Sequence, residues 1–164
     1  MRLFLGSFAK LEHYGILKSH FSFLEAKWVQ KHNIHLTYLF LGERPNPYGI
    51  IEKLEGIEYE KKDIPLHGLG FFGHPPKVLY TKVQDEGIVE LHHKIVKRLQ
   101  IEPNQPFVPH VTLCRIKSSQ RFSRFIKTLQ KLEHHHFGTL HQELHLIESL
   151  LTPKGPKYKI IHTF

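Results

Sequence analysis

The chain has 164 residues, enough for one domain or two small lobes burying roughly 70% of the unfolded surface. Hydrophobic residues make up 40% and aromatics 12%, which excludes a disordered chain, and no apolar run approaches the ~20 residues of a membrane-spanning helix. A single cysteine, Cys114, excludes internal disulfides and suits a reducing compartment, while a formal charge of +8 favours a polyanionic partner, nucleic acid above all.

Met1-Arg2-Leu3-Phe4-Leu5-Gly6 is too short and too soon interrupted for a secretory signal and reads as a first strand, so a soluble, cytoplasmic protein is expected. Leu11, Tyr14, Leu17 and Phe21 recur at three- and four-residue steps and predict an amphipathic helix from Lys10 to about Phe23. A short strand over Ala26–Val29 and a turn over Gln30–Asn33 lead into the strand Ile34–Gly42. Glu43-Arg44-Pro45-Asn46-Pro47 stops that strand; Asn46 can cap, and Pro47 start, a helix that runs to about Leu54 and ends at Gly56.

Asp63–Phe72 and Val78–Val83 read as strands joined by a Gly73–Pro76 turn. Asp85 can cap a helix whose apolar face is Ile88, Leu91, Ile95 and Leu99. The loop Glu102–Pro106 delivers the chain to a strand over Phe107–Ile116. Ser118 or Ser119 can cap a further helix with Phe122, Phe125, Ile126, Leu129 and Leu132 on one face. Two final strands, about Thr139–Leu151 and Lys157–Phe164, flank a Thr152–Pro156 turn. Helices and strands mix without βαβ alternation, so the fold class is α+β, and no linker divides residues 1–164.

Two of these strands carry the chemistry. Ile34-His35-Leu36-Thr37-Tyr38-Leu39-Phe40-Leu41-Gly42 and Pro109-His110-Val111-Thr112-Leu113-Cys114-Arg115 each hold a His-x-Thr on an otherwise apolar run, 75 residues apart. Fifteen histidines and seven threonines in 164 residues give about 0.6 such pairs by chance, so the pattern alone is a weak signal. The setting strengthens it, because burying an unpaired polar group costs on the order of 1–3 kcal/mol. Alternation puts each His and its Thr on one face, about 6.6 Å apart along the strand. If the two strands converge, two imidazoles can serve as base and acid of one displacement, and two neutral hydroxyls can donate to phosphoryl oxygens. That set fits hydrolysis or transesterification of a phosphodiester.

The two segments resemble the signature motifs of the 2H phosphoesterase superfamily, and most nearly its RNA 2′,3′-cyclic phosphodiesterase branch, the bacterial 2′-5′ RNA ligase family. Supporting similarities run nearly end to end: Arg2-Leu3-Phe4-Leu5, Trp28-Val29, Val78-Leu79-Tyr80, Leu146-Ile147-Glu148-Ser149-Leu150 and Tyr158. The resemblance implies a bilobed, pseudo-symmetric α+β fold with antiparallel sheets lining a central cleft and helices outside. It implies metal-independent opening of an RNA 2′,3′-cyclic phosphate to a 2′-phosphate; no cofactor is expected, and the chain is expected to be a monomer that, lacking a membrane-spanning run, binds no membrane. Its catalytic pair would be His35 and His110, and its phosphate-binding pair Thr37 and Thr112. For a 2′-phosphate product O3′ must leave; our assignment is His110 as base for the water and His35 as acid to O3′, the opposite assignment being the alternative. Phe40 matches a nucleotide-lining position and Arg115 a substrate-phosphate position. Strict alternation sets both on the face opposite their histidines, a conflict that only twist or a bulge relieves.

The remaining histidines support a rival reading. His134-His135-His136, with His141 and His145, suggest a metal-binding protein, since imidazole suits Zn, Ni and Cu. Three consecutive histidines cannot all face one ion, however, and a solvated turn between helix and strand accounts for them. His92-His93 lie on a helix without a ligand-spaced partner. Cys114 shares the alternation face of Thr112, bordering the cleft, and reads as a small packing residue. A second rival is a non-catalytic module holding single-stranded RNA ends, whose binding would survive loss of His35 and His110.

Overall fold

A computed structural model describes residues 1–118 and 121–164. The elements run β1 (Arg2–Leu11), α1 (Tyr14–His20), β2 (Glu25–Trp28), a 3-10 turn (Lys31–Asn33), β3 (His35–Glu43), α2 (Tyr48–Leu54), β4 (Asp63–His67), β5 (Leu69–Phe72) and β6 (Val78–Lys82). They continue through α3 (Glu86–Leu99), β7 (His110–Ser118), α4 (Phe122–Lys131), β8 (His136–His141), β9 (His145–Thr152) and β10 (Gly155–Thr163). The mixture is α+β, as read from the sequence.

The strands form an antiparallel sheet in the order β10-β9-β1-β3-β7-β6-β5, with β2 added beside β7, and with β8 pairing both β1 and β4. At its middle β3 and β7 meet through a single pair, Leu36 opposite Val111. This junction relates two similar halves. β3 and β7 share one burial pattern over their first eight residues: partly buried His and Thr, then two adjacent buried residues, then an exposed one. Helices cover the core side. The predicted face of α3, Ile88, Leu91, Ile95 and Leu99, is buried, each side chain contributing roughly 1.5–3 kcal/mol of burial. The Asp85 carboxylate accepts from the Ile88 N–H at 3.3 Å and caps that helix as expected. α2 starts one residue later than expected: Pro47 occupies the cap position rather than the first helical one, and Asn46, just before it, accepts from the Tyr48 N–H with Oδ1 at 3.1 Å.

Several boundaries differ from the sequence reading, because the presence or lack of a strand partner outweighs local pattern. The helix expected from Lys10 starts only at Tyr14, because Lys10 and Leu11 continue β1 by pairing with Thr139 and Gly138 of β8. Its four predicted apolar residues are all buried, but Leu11 is buried from a strand. The expected strand Asp63–Phe72 breaks at Gly68, whose φ of +76° lets β4 pair β8 while β5 pairs β6. Thr139–Leu151 is two strands, since β8 pairs β1 and β4 whereas β9 pairs β1 and β10. The strand expected from Phe107 begins at His110. Ser118 does not cap α4: it ends β7, and Arg121 occupies the cap without a side-chain bond. The alternative cap, Ser119, lies outside the described residues. On α4 Phe125 is fully buried, against Phe21 and Phe71, whereas Phe122 is 48% exposed. Among the described residues no helix is long and apolar enough to cross a membrane.

Candidate active site

The Leu36–Val111 pair sends both of its side chains into the core, where each is fully buried. Side chains alternate along a strand, so His35 and Thr37, and His110 and Thr112, project from the opposite face around this one bridge. The antiparallel sense puts His35 on the same side of the bridge as Thr112, and Thr37 on the same side as His110. The two motif strands thus converge, as the sequence required for shared chemistry.

Both imidazoles are oriented by the same device. His35 Nδ1 lies 2.7 Å from the Asn33 carbonyl, and His110 Nδ1 lies 2.7 Å from the Val108 carbonyl. A carbonyl only accepts, so in each ring Nδ1 carries the proton and Nε2 is left to take or give one. Burial pulls both pKa values below the ordinary histidine value, opposed in each case by the carbonyl bond. The neighbouring His110 charge lowers His35 further, and Arg115 lowers His110 further. Among the described residues, neither Thr37 nor Thr112 spends its hydroxyl on a protein partner, so both are available to a ligand's oxygens.

The conflict over Phe40 and Arg115 is resolved by a pair of bulges. On β3, Leu39 pairs Leu5 and Thr37 pairs Gly6, which leaves Tyr38 as an extra residue. On β7, Cys114 pairs Leu79 and Thr112 pairs Tyr80, which leaves Leu113 extra at the equivalent position. Each insertion shifts the alternation by one residue and turns the following segment over. Phe40 therefore emerges on the His35 face, 73% exposed and 6.2 Å from Phe4, whose ring is 5.1 Å from His35. Arg115 emerges on the His110 face, exposed. Cys114 moves the other way: the expectation that it borders the cleft is wrong. It is fully buried as a packing residue, and burial pushes its thiol up to about 12.

The bulges are held by distant donors. The Tyr38 carbonyl accepts from His92 Nδ1 at 2.9 Å, and the Leu113 carbonyl accepts from the Val29 N–H at 2.8 Å and the Tyr14 hydroxyl at 3.2 Å. An unpaired buried carbonyl would be costly, so these donors make the irregular strands stable. His92, which had no role in the sequence, also stacks on Phe107 at 3.9 Å, just ahead of the segment that orients His110.

Aromatic side chains surround the two imidazoles, and the sequence reading missed this frame. Tyr158 stands edge-on to His35 at 5.0 Å, with Phe8 at 6.4 Å; Phe72 and Tyr80 flank His110 at 4.9 and 5.3 Å. Tyr80 fits there because it lies against Gly70, where a Cβ would come within 2.6 Å of its ring. These residues sit on β1, β5, β6 and β10, so only pairing registers bring them to the histidines. The two halves differ in character: that of His35 is aromatic, and that of His110 adds Arg115 and, opposite His110, Lys82.

The other histidines are dispersed. His141 Nδ1 donates to Asp63 at 2.7 Å, His136 lies 3.7 Å from Glu12 and 5.3 Å from the His67 ring, and His145 bonds Thr163. Among the described residues no three His, Cys, Asp or Glu side chains are grouped to hold a metal ion.

The family model described as 2′-5′ RNA ligase superfamily matches residues 13–150, a span that includes both His-x-Thr strands. The chain belongs to this superfamily. Among its relatives, proteins named RNA 2′,3′-cyclic phosphodiesterase from Aquifex aeolicus and Aeropyrum pernix are 37% and 34% identical to it. The alignments cover 84% and 83% of this chain, and 80% and 84% of those proteins. The crystal structure of TT0787 of Thermus thermophilus superposes with a TM-score of 0.71 at 28% identity, covering 100% of this chain and 97% of that one. This superfamily member thus has the expected 2H phosphoesterase architecture.

The depressed histidine values set a pH expectation. An acid–base pair works only with one ring neutral and the other protonated. With both values below 6.5, that combination is most populated on the acid side of 6.5 and falls away as rising pH strips the acid's proton. A bell-shaped kcat/KM profile with its alkaline limb below the ordinary histidine range is expected. A profile still rising at pH 8 would contradict it.

Proposed function

We propose that the chain is an RNA 2′,3′-cyclic phosphodiesterase, a phosphoric diester hydrolase acting as one two-lobed domain on the cyclic phosphate that ends an RNA strand. The observation that carries this reading is the convergence of two identically oriented imidazoles, each with Nε2 free, and two unengaged hydroxyls around the Leu36–Val111 bridge. The relatives' shared name supports it.

In the proposed reaction His110 Nε2 takes a proton from water as its oxygen bonds to phosphorus. The P–O3′ bond breaks on the opposite side, and His35 Nε2 gives its proton to O3′. The products are a 2′-phosphomonoester and a free 3′-hydroxyl. Thr37 and Thr112 donate to the non-bridging oxygens, where charge grows in the transition state. Arg115 adds a cation for substrate phosphate, and Phe40 a stacking face for the nucleotide. With a 5′-hydroxyl in place of water as the nucleophile, the same groups in the same roles form a 2′-5′ linkage and free O3′; the reverse, cyclising cleavage exchanges their roles. Acid, base and donors all come from the chain, so turnover is expected to continue in EDTA.

The test is to incubate a short oligonucleotide ending in a 2′,3′-cyclic phosphate with the protein in EDTA and identify the product. A terminal 2′-phosphate is expected. Recovery of unreacted substrate, or of a 3′-phosphate, would refute the assignment.

A further inference from the structure

Beside the histidine site lies a cavity of about 360 Å³ between the 3-10 turn and the tip of the β9–β10 hairpin, lined among others by Phe8, Gln30, His32, Lys154, Lys157 and Tyr158. We propose that this cavity binds the nucleotide immediately upstream of the cyclic phosphate, so that the enzyme selects oligonucleotide ends over mononucleoside cyclic phosphates. The proposal rests on the phosphodiesterase reading above and adds a second subsite to it.

Three observations converge. The first is continuity: Phe8 and Tyr158 wall the cavity and also stand 6.4 and 5.0 Å from the His35 ring, so the cavity opens off the His35 half of the site. The second is direction. In an in-line displacement the nucleophile and leaving oxygen lie on opposite sides of phosphorus; with His35 protonating O3′, the ribose and the chain leading from its 5′ carbon lie on the His35 side. Water enters from the His110 side. The third is chemistry. The lining offers Lys154, Lys157 and His32 and contains no carboxylate, which suits a phosphodiester. Phe8 and Tyr158 offer aromatic surface to a base or ribose, of the kind worth roughly 1–3 kcal/mol per base in single-strand binding. The volume lies within the range of small-molecule sites, roughly 300–1,000 Å³.

The cavity is also preformed. Asn33 Nδ2 donates to the Pro156 carbonyl at 2.9 Å and Gln30 Nε2 to the Lys154 carbonyl at 3.4 Å, tying the hairpin to the turn. The Asn33 carbonyl meanwhile orients His35. One residue thus links the cavity wall to the imidazole, so the two subsites are held in fixed relation.

The test compares kcat/KM for a mononucleoside 2′,3′-cyclic phosphate and for a dinucleotide ending in the same group. Wild-type protein should prefer the dinucleotide by about tenfold or more. The Lys154→Ala/Lys157→Ala variant should lose most of that preference, with mononucleotide turnover within about twofold of wild type. Lys127→Ala/Lys131→Ala, which removes equal charge from α4, should keep the preference. Equal loss on both substrates, no loss on either, or an equal effect of the α4 variant would overturn the proposal. Failure of the wild type to turn over either substrate would instead remove the phosphodiesterase reading beneath it.

Discussion

Replacing His35 or His110 by alanine is expected to lower kcat about 1,000-fold, the middle of the range for general acid–base catalysis. Substrate affinity should change little, since the proposed phosphate-holding groups Thr37, Thr112 and Arg115 remain. In the proposed reaction the two rings act on the two ends of one displacement, so losses should not add: the double variant should be about as slow as the worse single variant. Each imidazole forms one bond to a carbonyl two residues earlier in the chain, and its removal leaves the Leu36–Val111 bridge in place. Circular dichroism should therefore show folded variants. Pre-steady-state turnover of a cyclic-phosphate oligonucleotide gives the rate directly. Full activity in either single variant would end the two-histidine mechanism, whereas weakened binding with unchanged kcat would recast the histidines as ligand-holding groups.

The largest expected effect on stability comes from Gly138→Ala. Gly138 has φ of +155°, and a Cβ there would lie 2.1 Å from the Lys10 carbonyl oxygen and 2.8 Å from the Leu11 Cα. Both are backbone atoms of β1 and cannot rotate away. Gly138 pairs Leu11 on one side and Leu66 of β4 on the other, so the added methyl forces apart three strands, one of which also supports β3. A loss of about 3 kcal/mol is expected, or roughly 10 °C in Tm for a chain of this size, measured by thermal unfolding. Gly15→Ala is the control: it lies in α1 with nothing within 4 Å of its Cβ, and should gain about 0.5–1 kcal/mol. Equal Tm values for Gly138→Ala and wild type would mean that the close approach of β1 and β8 is not required.

His35, Thr37, His110 and Thr112 were legible in the sequence because alternation is a local property, holding for any strand whatever its partners. The same is true of α3, whose apolar period and Asp85 cap lie within one continuous segment, and of the core residues Leu11, Tyr14, Leu17 and Phe21, which are buried even though the first belongs to a strand. The faces of Phe40, Arg115 and Cys114 were not legible. They depend on extra residues at Tyr38 and Leu113, and a bulge exists only relative to a partner strand. Each bulge is held by a donor far away in sequence, His92 for one and Tyr14 with Val29 for the other. The aromatic frame and the cavity behind Tyr158 were hidden for the same reason, since the registers of β1, β6 and β10 decide which ring meets which histidine. The sequence by itself determined which groups are candidates for the chemistry and that each His shares a face with its Thr, through the two-residue period of an extended chain. Tertiary structure alone decided what surrounds them, because pairing register and its interruptions are settled between strands and not within one.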